Sequence, residues 1–394
     1  MKHRKRENNP RAAADKIAQY IHTASQKTAV MKFGGHSVSV KPFKLFAALA
    51  VILVIIGLIS FILSFGTDIK SVDAEFESGS PYKTKAAGEN VVLYNNRGAK
   101  IITSKGKVSA SVSEALSEPL AETEGDYLIL ADLAGNHFAA CYKNGDEQYR
   151  LSIDKDIISA KVTPDGNCAV ATDTDGYKGR IIVYNKRGSE QYAWNSGGGY
   201  ITDIDITDNG RYLAVAQLVV GDGKTDTKIQ FIDTRRGDVV STAERSGEAA
   251  AEVKFVGGDK LVVVTDSHIA AYNKNSKQLF DISLDGKSPS LYSLDSTDAI
   301  AVVTLDNRGN HVLEMYSYSG KQLGAYTATG EIRALSVCGR NAAIVEQKGI
   351  VRVTSGGKQK KVVNIAHDVK DICYFDNGRI LSVGASQAET LRLN

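Results

Sequence analysis

The sequence predicts an all-β protein: a β-propeller of four-stranded antiparallel blades, preceded by one transmembrane α-helix. Three observations support this prediction. Leu45–Phe65 is an uncharged apolar run, a strand-and-turn pattern recurs through the rest of the chain, and the composition suits strands and turns. The 394 residues include 36 Gly but only 6 Pro, and Val, Ile and Tyr fill the apolar positions of the repeat.

The apolar run is the first predicted element. Its length of about 21 residues is what an α-helix needs to cross a hydrocarbon core of roughly 30 Å. A cleaved signal peptide has an apolar core of about 7–15 residues and a small-residue cleavage site. Because Ser64–Thr67 is a poor cleavage site, the sequence favours an uncleaved anchor over a signal peptide or a buried soluble helix. It therefore predicts a membrane as one partner, contacted through Leu45–Phe65.

Charge gives the orientation of this anchor. The first 44 residues carry ten Lys or Arg and two acids, a net +8, so the overall +3 leaves −5 on the remaining chain. The positive-inside rule then keeps the amino terminus in the cytoplasm and exports the rest. We expect a single-pass protein of the cell membrane. Its predicted parts are a basic cytoplasmic tail (1–42), the transmembrane helix (43–66), a juxtamembrane linker with a possible ring-closing strand (67–80) and an extracytoplasmic propeller (81–394). The charge of the exported part predicts no nucleic-acid partner.

The exported part repeats one pattern. One copy runs from Ile158–Val162 through the turn Thr163-Pro-Asp-Gly166 to Arg180–Asn185, and the next copy runs from Ile201 to Gly237. Pro presets φ in such a turn and Gly tolerates positive φ. The copies recur every 37 to 48 residues or so, which is the period of a propeller blade. The predicted third strands end near Thr103, Tyr142, Tyr184, Ile232, Tyr272, Tyr316, Val353 and Leu393.

Eight third strands predict eight blades, and seven blades with an extra hairpin is the alternative. The last copy stops after its third strand because the sequence ends at Asn394. A propeller must cover the edges of its sheets. We therefore expect a segment within Ile69–Glu77 to supply the missing outer strand and close the ring.

The order and spacing of several segments resemble a known family. These segments run from Leu130–Gly135 through Tyr142–Gly145, Ile158–Val162 and Ile182–Asn185 to Gln217–Lys228. They are similar to an uncharacterised group of single-pass propeller proteins of Gram-positive bacteria, known only as a domain of unknown function, with WD40-like and quinoprotein-like propellers. The resemblance implies an anchored propeller outside the cytoplasmic membrane and no known active site. The family's early Leu-Trp pair is missing, since Lys107-Val108 stands nearby.

Residues that would indicate catalysis or a cofactor are scarce. Quinone-dependent propellers typically place one Trp in each blade, whereas this chain has only Trp194, which we expect to pack between blades. Thr172–Gly176 resembles the start of a calcium loop but lacks its closing glutamate. Cys141, Cys168, Cys338 and Cys373 lie in predicted strands, which favours buried thiols over disulfides. We predict no enzyme activity, no metal and no cofactor.

The candidate binding face carries the connections between second and third strands. The longest predicted loop is Gln217–Lys228, and Asp173–Gly179 and Asp306–Asn310 are connections of the same kind. Ser196–Gly199 leads into the same blade as the longest loop, on the same face. The sequence predicts a protein or cell-wall glycan contact across blades three and four; simple solvent-exposed connections are the alternative. The candidate residues are Asp173, Asp175, Tyr177, Asp222, Lys224, Asp226, Asn307 and Arg308.

Three functional classes follow from these expectations. The leading one is a non-catalytic extracytoplasmic scaffold in envelope or export processes. A sensor that relays occupancy of the ring through the anchor is second, although the tail shows no signalling domain. A quinone-dependent or glycan-active enzyme is third.

Overall fold

The computed structural model describes residues 29–33, 36–40, 53–54, 69–76, 81–221, 223–365 and 367–393. The chain divides into two units, Met1–Gly66 and Thr67–Asn394. In the first unit, β1 (Ala29–Phe33) and β2 (His36–Val40) form an antiparallel hairpin, which the sequence analysis did not predict. The predicted anchor lies almost wholly outside the described residues. Within the described ranges, no helix has the length and apolar character to cross a membrane.

Within its described residues, the second unit contains six separate four-stranded antiparallel sheets and one eight-stranded sheet. The eight-stranded sheet is two four-stranded antiparallel blades joined by a single parallel pair, Leu133 with Ile157, so the predicted count of eight blades is confirmed. The strands of each blade follow one another from the ring axis outward. Blades 1 to 4 consist of β4 (Lys83–Ala87), β5 (Asn90–Asn95), β6 (Gly98–Thr103) and β7 (Val108–Ser113); β8 (Glu118–Glu124), β9 (Tyr127–Leu133), β10 (His137–Tyr142) and β11 (Glu147–Ser152); β12 (Ile157–Val162), β13 (Cys168–Thr172), β14 (Arg180–Tyr184) and β15 (Glu190–Asn195); and β16 (Tyr200–Ile206), β17 (Tyr212–Gly221), β18 (Lys224–Asp233) and β19 (Asp238–Ser246).

Blades 5 to 8 follow the same plan. They consist of β20 (Ala250–Val256), β21 (Lys260–Thr265), β22 (His268–Asn273) and β23 (Gln278–Ser283); β24 (Leu291–Ser293), β25 (Ile300–Leu305), β26 (His311–Tyr316) and β27 (Gln322–Thr327); β28 (Ala334–Cys338), β29 (Asn341–Glu346), β30 (Gly349–Thr354) and β31 (Gln359–Val363); and β32 (Asp371–Tyr374), β33 (Arg379–Val383), β34 (Ala388–Arg392) and β3 (Lys70–Ser71). The predicted third-strand ends agree with these bounds to within one residue.

Closure of the ring occurs in blade 8. Lys70 pairs with Thr390 and Ser71 with Glu389, both antiparallel, and the Val72 amide donates to the Ala388 carbonyl at 2.8 Å. This pairing confirms that a segment within Ile69–Glu77 supplies the outer strand. It leaves the outer edge of β34 covered.

Burial explains why the blades stack. Second strands are apolar at nearly every position, as in Val91, Val92 and Leu93 of β5, because neighbouring blades cover both faces of the sheet. Outer strands alternate between exposed and half-buried residues, as in β11. The described core forms eight apolar clusters, one between each pair of neighbouring blades, including blade 8 against blade 1. The buried apolar surface therefore runs around the whole ring.

The cysteines and the tryptophan agree with their predicted roles. All four cysteines are free; Cys141, Cys168 and Cys373 are buried, and Cys338 is half-buried. Burial raises the pKa of the Cys141 thiol to about 11. Trp194 is half-buried and packs against the cluster between blades 3 and 4.

Candidate functional site

The two faces of the ring differ in the connections they carry. The loop face has the second-to-third-strand connections and the links between blades, such as 173–179 and 196–199. The turn face has the first-to-second-strand and third-to-fourth-strand turns, such as 163–167 and 185–189. The predicted binding residues that the structure describes belong to the loop face.

Three of these predicted residues lie in the blade 3 connection, residues 173–179. The Lys155 Nζ contacts Asp175 Oδ1 at 2.7 Å, in an exposed ion pair. The Asp173 side chain accepts a hydrogen bond from the Thr174 amide. Tyr177 projects outward and is 53% exposed.

The predicted loop Gln217–Lys228 is wrong, because these residues form a β-hairpin. β17 and β18 stay paired from Tyr212–Asp233 to Gly221–Lys224. Leu218, Val219 and Val220 favour strand, and the pairing continues to Gly221 and Lys224. Lys224 and Asp226 therefore lie in β18, where Asp226 Oδ1 accepts from the Gly247 amide at 2.8 Å. Asp222 lies outside the described residues.

The blade 3 connection packs against the start of blade 4. The Lys178 amide donates to the Ser196 carbonyl at 2.7 Å. The Lys178 Nζ lies 2.7 Å from the Tyr200 hydroxyl and 4.3 Å from the centre of that ring. Tyr200 in turn pairs with Leu218 of the hairpin.

These contacts place an exposed apolar group on the loop face, which we call the blade 3–4 patch: Tyr177, Tyr200 and Val220. Tyr177 and Tyr200 are each 53% exposed and Val220 is 65% exposed. Aromatic side chains with polar surroundings are typical anchors of protein interfaces. Sequence reasoning found Tyr177 but missed Tyr200 and Val220. The sequence does carry a signal for them, because the stretch between Leu213 and Ile232 is longer than the equivalent stretch in the other copies.

Asn307 and Arg308 are not brought to this patch. They lie in the β25–β26 turn of blade 6, and blade 5 separates them from blade 4. Asp306 Oδ1 accepts from the Arg308 and Asn310 amides, each at 2.8 Å. The side chain of Asp306 thus stabilises the turn itself.

The centre of the ring holds a charged cluster that the sequence analysis did not predict. Glu122 of β8 contacts the Lys85 Nζ at 2.8 Å and the Lys161 Nζ at 2.9 Å. Burial opposes ionisation of Glu122, but Lys161 and Lys85 outweigh burial and lower the pKa of this carboxyl to about 2. The three side chains come from the inner strands of blades 1, 2 and 3, so they join these blades at the axis.

Carboxylates on other inner strands bind backbone amides of the next blade. Asp203 accepts from the Val253 amide at 3.0 Å, and Asp205 accepts from the Phe255 amide at 2.6 Å. Burial raises the pKa of Asp205 to about 7, against the opposing effects of Lys161 and the Phe255 amide. We call such contacts inner locks, because each one satisfies an amide of the neighbouring inner strand.

The same contact occurs at the point where the ring closes. The Asp371 carboxylate accepts from the Thr84 amide at 2.9 Å and from the Thr84 hydroxyl at 2.8 Å. Burial raises the pKa of Asp371, although the hydrogen bonds from Thr84 act in the opposite direction. Inner locks therefore explain several of the buried carboxylates without invoking catalysis.

A cavity of about 390 Å³ lies among these inner strands and opens on the turn face. Its side chains include Lys85, Glu122, Lys161, Asp205, Glu252 and Lys254, and the first-to-second-strand turns surround its mouth. Lys254 contacts Asp295 at 3.3 Å. In the part of the chain that the structure describes, no group of His, Cys, Asp or Glu side chains is arranged to hold a metal ion.

Comparison with known proteins places the chain in a family. The model of a family of unknown function, DUF5711, matches residues 67–393. The chain belongs to DUF5711. No curated protein matches this sequence.

Two solved structures resemble this DUF5711 chain in fold. The C-terminal WD40 domain of Sif2 matches with a TM-score of 0.59 and 12% identity, covering 84% of this chain and 99% of that domain. BamB from Moraxella catarrhalis matches with a TM-score of 0.51 and 12% identity, covering 83% and 98%. At this identity the similarity concerns the propeller fold alone.

Proposed function

We propose that this DUF5711 protein is a non-catalytic, membrane-anchored scaffold that binds a protein partner outside the cytoplasmic membrane. The observation that carries the proposal is the blade 3–4 patch beside the extended hairpin β17–β18. β17 has 10 residues, whereas the equivalent β21 of blade 5 has 6. The additional residues lengthen the hairpin at its exposed tip, where they do not add to the core.

The patch has the chemistry of a protein-binding surface. Tyr177 and Tyr200 offer rigid aromatic area, and Lys178 holds the Tyr200 hydroxyl. Gly197 and Gly198 beside them leave open space, since an added Cβ would meet no atom within 4 Å. A partner backbone can therefore approach the two tyrosines closely.

Anchoring is supported by the apolar run Leu45–Phe65 and by the charge difference across it. In this proposal the run holds the propeller at the cell membrane, with the amino terminus in the cytoplasm. A reporter enzyme that is active only outside the cytoplasm, fused after residue 393, should be active. The same fusion in a chain lacking residues 45–65 should lose both activity and membrane association.

Site-specific photocrosslinking in living cells tests the binding surface. A crosslinking amino acid at Tyr200 should yield a discrete protein adduct. The same amino acid at Leu279, an exposed position on an outer strand of blade 5, serves as the control. Equal adducts at both positions, or an adduct at Tyr200 that resists protease and yields to glycan hydrolases, would contradict a protein partner at the patch.

A further inference from the structure

The third-to-fourth-strand turns of the ring are basic. In blades 1 to 7, each of these described turns carries at least one Lys or Arg. Lys143 of blade 2 lines the central cavity and faces Glu124, Asp126 and Asp376, so it is left out of the peripheral set. We call the remaining set the basic rim: Lys105, Lys107, Lys186, Arg187, Arg235, Arg236, Lys274, Lys277, Lys321 and Lys358. Since third and fourth strands are the outer strands of each blade, the rim follows the periphery of the turn face.

Turn conformation does not require these cations. Asn185 accepts hydrogen bonds from the Arg187 and Ser189 amides, and Gly188 supplies the positive φ of 78°. In blade 5, Asn273 accepts from the Asn275 and Lys277 amides. Asn and Gly therefore set the turns, and the Lys and Arg side chains are available for another role.

Most of the rim charge is not neutralised by nearby acids. Arg236 lies 4.0 Å from Asp238, and Lys274 lies 3.8 Å from Asp259, both at the outer limit of an ion pair. The other rim side chains have no ion-pair partner within the described residues. Acids of the turn face stand mainly in the first-to-second-strand turns around the channel mouth, such as Asp126, Asp165 and Asp376. The net −5 of the exported part thus conceals a radial separation of charge.

The chain also enters the ring at this face. β3 runs antiparallel to β34, with Lys70 opposite Thr390 and Ser71 opposite Glu389, so the chain moves away from the turn face as it passes through blade 8. Four residues separate Phe65, the end of the apolar run, from Lys70. Such a linker spans at most about 17 Å from one end to the other.

We propose that the basic rim docks on the anionic phosphate headgroups of the membrane that holds the chain's own apolar run. This proposal rests on the proposed anchor. Clustered Lys and Arg bind anionic lipid surfaces over distances of about a Debye length, roughly 8 Å at physiological salt. Docking turns the loop face, with the blade 3–4 patch, away from the membrane and toward a partner.

Lysine labelling of the full chain in lipid nanodiscs tests this proposal. Amine acylation, measured by mass spectrometry, should slow by about threefold or more at Lys186, Lys277 and Lys321 when phosphatidylglycerol replaces part of a phosphatidylcholine bilayer. High salt should remove the protection. Lys287 and Lys348 on the loop face should react at the same rate in both bilayers. Equal protection on both faces, or on neither, would overturn the proposal.

Two double variants with the same change in net charge distinguish an effect of the rim from an effect of the protein's overall charge. Lys186→Glu with Lys277→Glu should weaken the lipid-dependent protection of Lys321, whereas Lys287→Glu with Lys348→Glu should leave it intact. Soluble polyphosphate could protect the rim lysines in neutral nanodiscs while anionic lipid has no effect. That result would identify a soluble polyanion as the occupant and refute docking of the rim on the membrane. A chain that nanodiscs fail to retain would refute the anchor. Sedimentation with phosphatidylglycerol vesicles would then test the rim separately, and absence of binding would refute it.

Discussion

The joint between blades 4 and 5 and the joint between blades 8 and 1 use the same contact at the axis and different contacts at the periphery. Near the axis, Asp205 accepts from the Phe255 amide in one joint, and Asp371 accepts from the Thr84 amide in the other. At the periphery, β19 leads directly into blade 5. In blade 8 the equivalent outer strand is β3, contributed from the other end of the chain.

The peripheral contacts of the two joints differ in chemistry as well. Arg245, only 6% exposed, contacts Glu248 and Asp281 at 2.7 Å each, and Glu248 also accepts from the Thr265 hydroxyl. The ring-closing joint relies on the short β3 and on the buried Val72 beside Phe375 and Leu381. The inner lock therefore forms whether or not the chain runs directly from one blade to the next. The peripheral contacts differ between the joint with a direct link and the joint without one.

The largest effect is expected from Arg245→Met. Removing this guanidinium leaves Glu248 and Asp281 without their cation, which costs about 3 kcal/mol for a buried network. Chemical denaturation should show the loss, while the exposed neighbour Glu244→Gln should change little. A loss below about 1 kcal/mol for Arg245→Met would mean that the two joints do not differ in their dependence on charge.

The ring-closing strand is tested by Val72→Pro. Proline removes the amide that donates to the Ala388 carbonyl and leaves that carbonyl unpaired, a cost of about 2 kcal/mol. Hydrogen exchange should accelerate in β34 and β33 before it does in blade 4. Glu75→Pro is the control, since this exposed position follows the pairing. If the substitution accelerated hydrogen exchange equally in all blades, the idea that the ring opens first at blade 8 would be contradicted.

Burial of the inner-lock carboxylates predicts that stability depends on pH. The pKa of Asp205 is about 7 in the folded ring and near 3.8 in the unfolded chain, so the unfolded state releases its proton first. Stability from this group is complete below about pH 4 and is lost as pH rises toward 7. Asp205→Asn should reduce this slope, where it is steepest, by about 1 kcal/mol per pH unit. Asp371→Asn should act with the same sign at the other joint. An unchanged slope in both variants would contradict the burial that raises the pKa of these two carboxyls.

The smallest effect on stability is expected at the tip of blade 4. Replacing residues 219–226 by Asn-Gly joins Leu218 to Thr227, which already face each other across the hairpin. Thr227 must remain, because its hydroxyl donates to the Glu248 carbonyl and accepts from the Ala250 amide. The free energy of unfolding should change by about 0.5 kcal/mol, yet the crosslink from Tyr200 should disappear. A retained crosslink would remove the hairpin from the proposed interface.

The blade pattern could be predicted because its signals are local. The strand end Tyr184-Asn185 recurs as Tyr272-Asn273, and a turn like Pro164–Gly166 recurs as Asp208–Gly210. Counting the copies indicated that a segment before blade 1 must close the ring. The hairpin tip was misassigned because Gly221 and Gly223, with polar residues after them, resemble a loop. The central cluster depends on contacts between distant blades: Glu122 and Lys161 are neighbours only once the ring forms. Aligning the inner strands of all copies would have revealed charged residues at positions expected to be apolar.

The pairing of Lys70 with Thr390 has a consequence for biosynthesis. Its two partners emerge from the ribosome at opposite ends of translation, so ring closure must wait for nearly the whole polypeptide. Until then Val91 and Leu93 of blade 1, which blade 8 later covers, remain open to water and to other chains. Pairing between such distant segments is intrinsically slow to form. The first blade made is thus among the last to be completed.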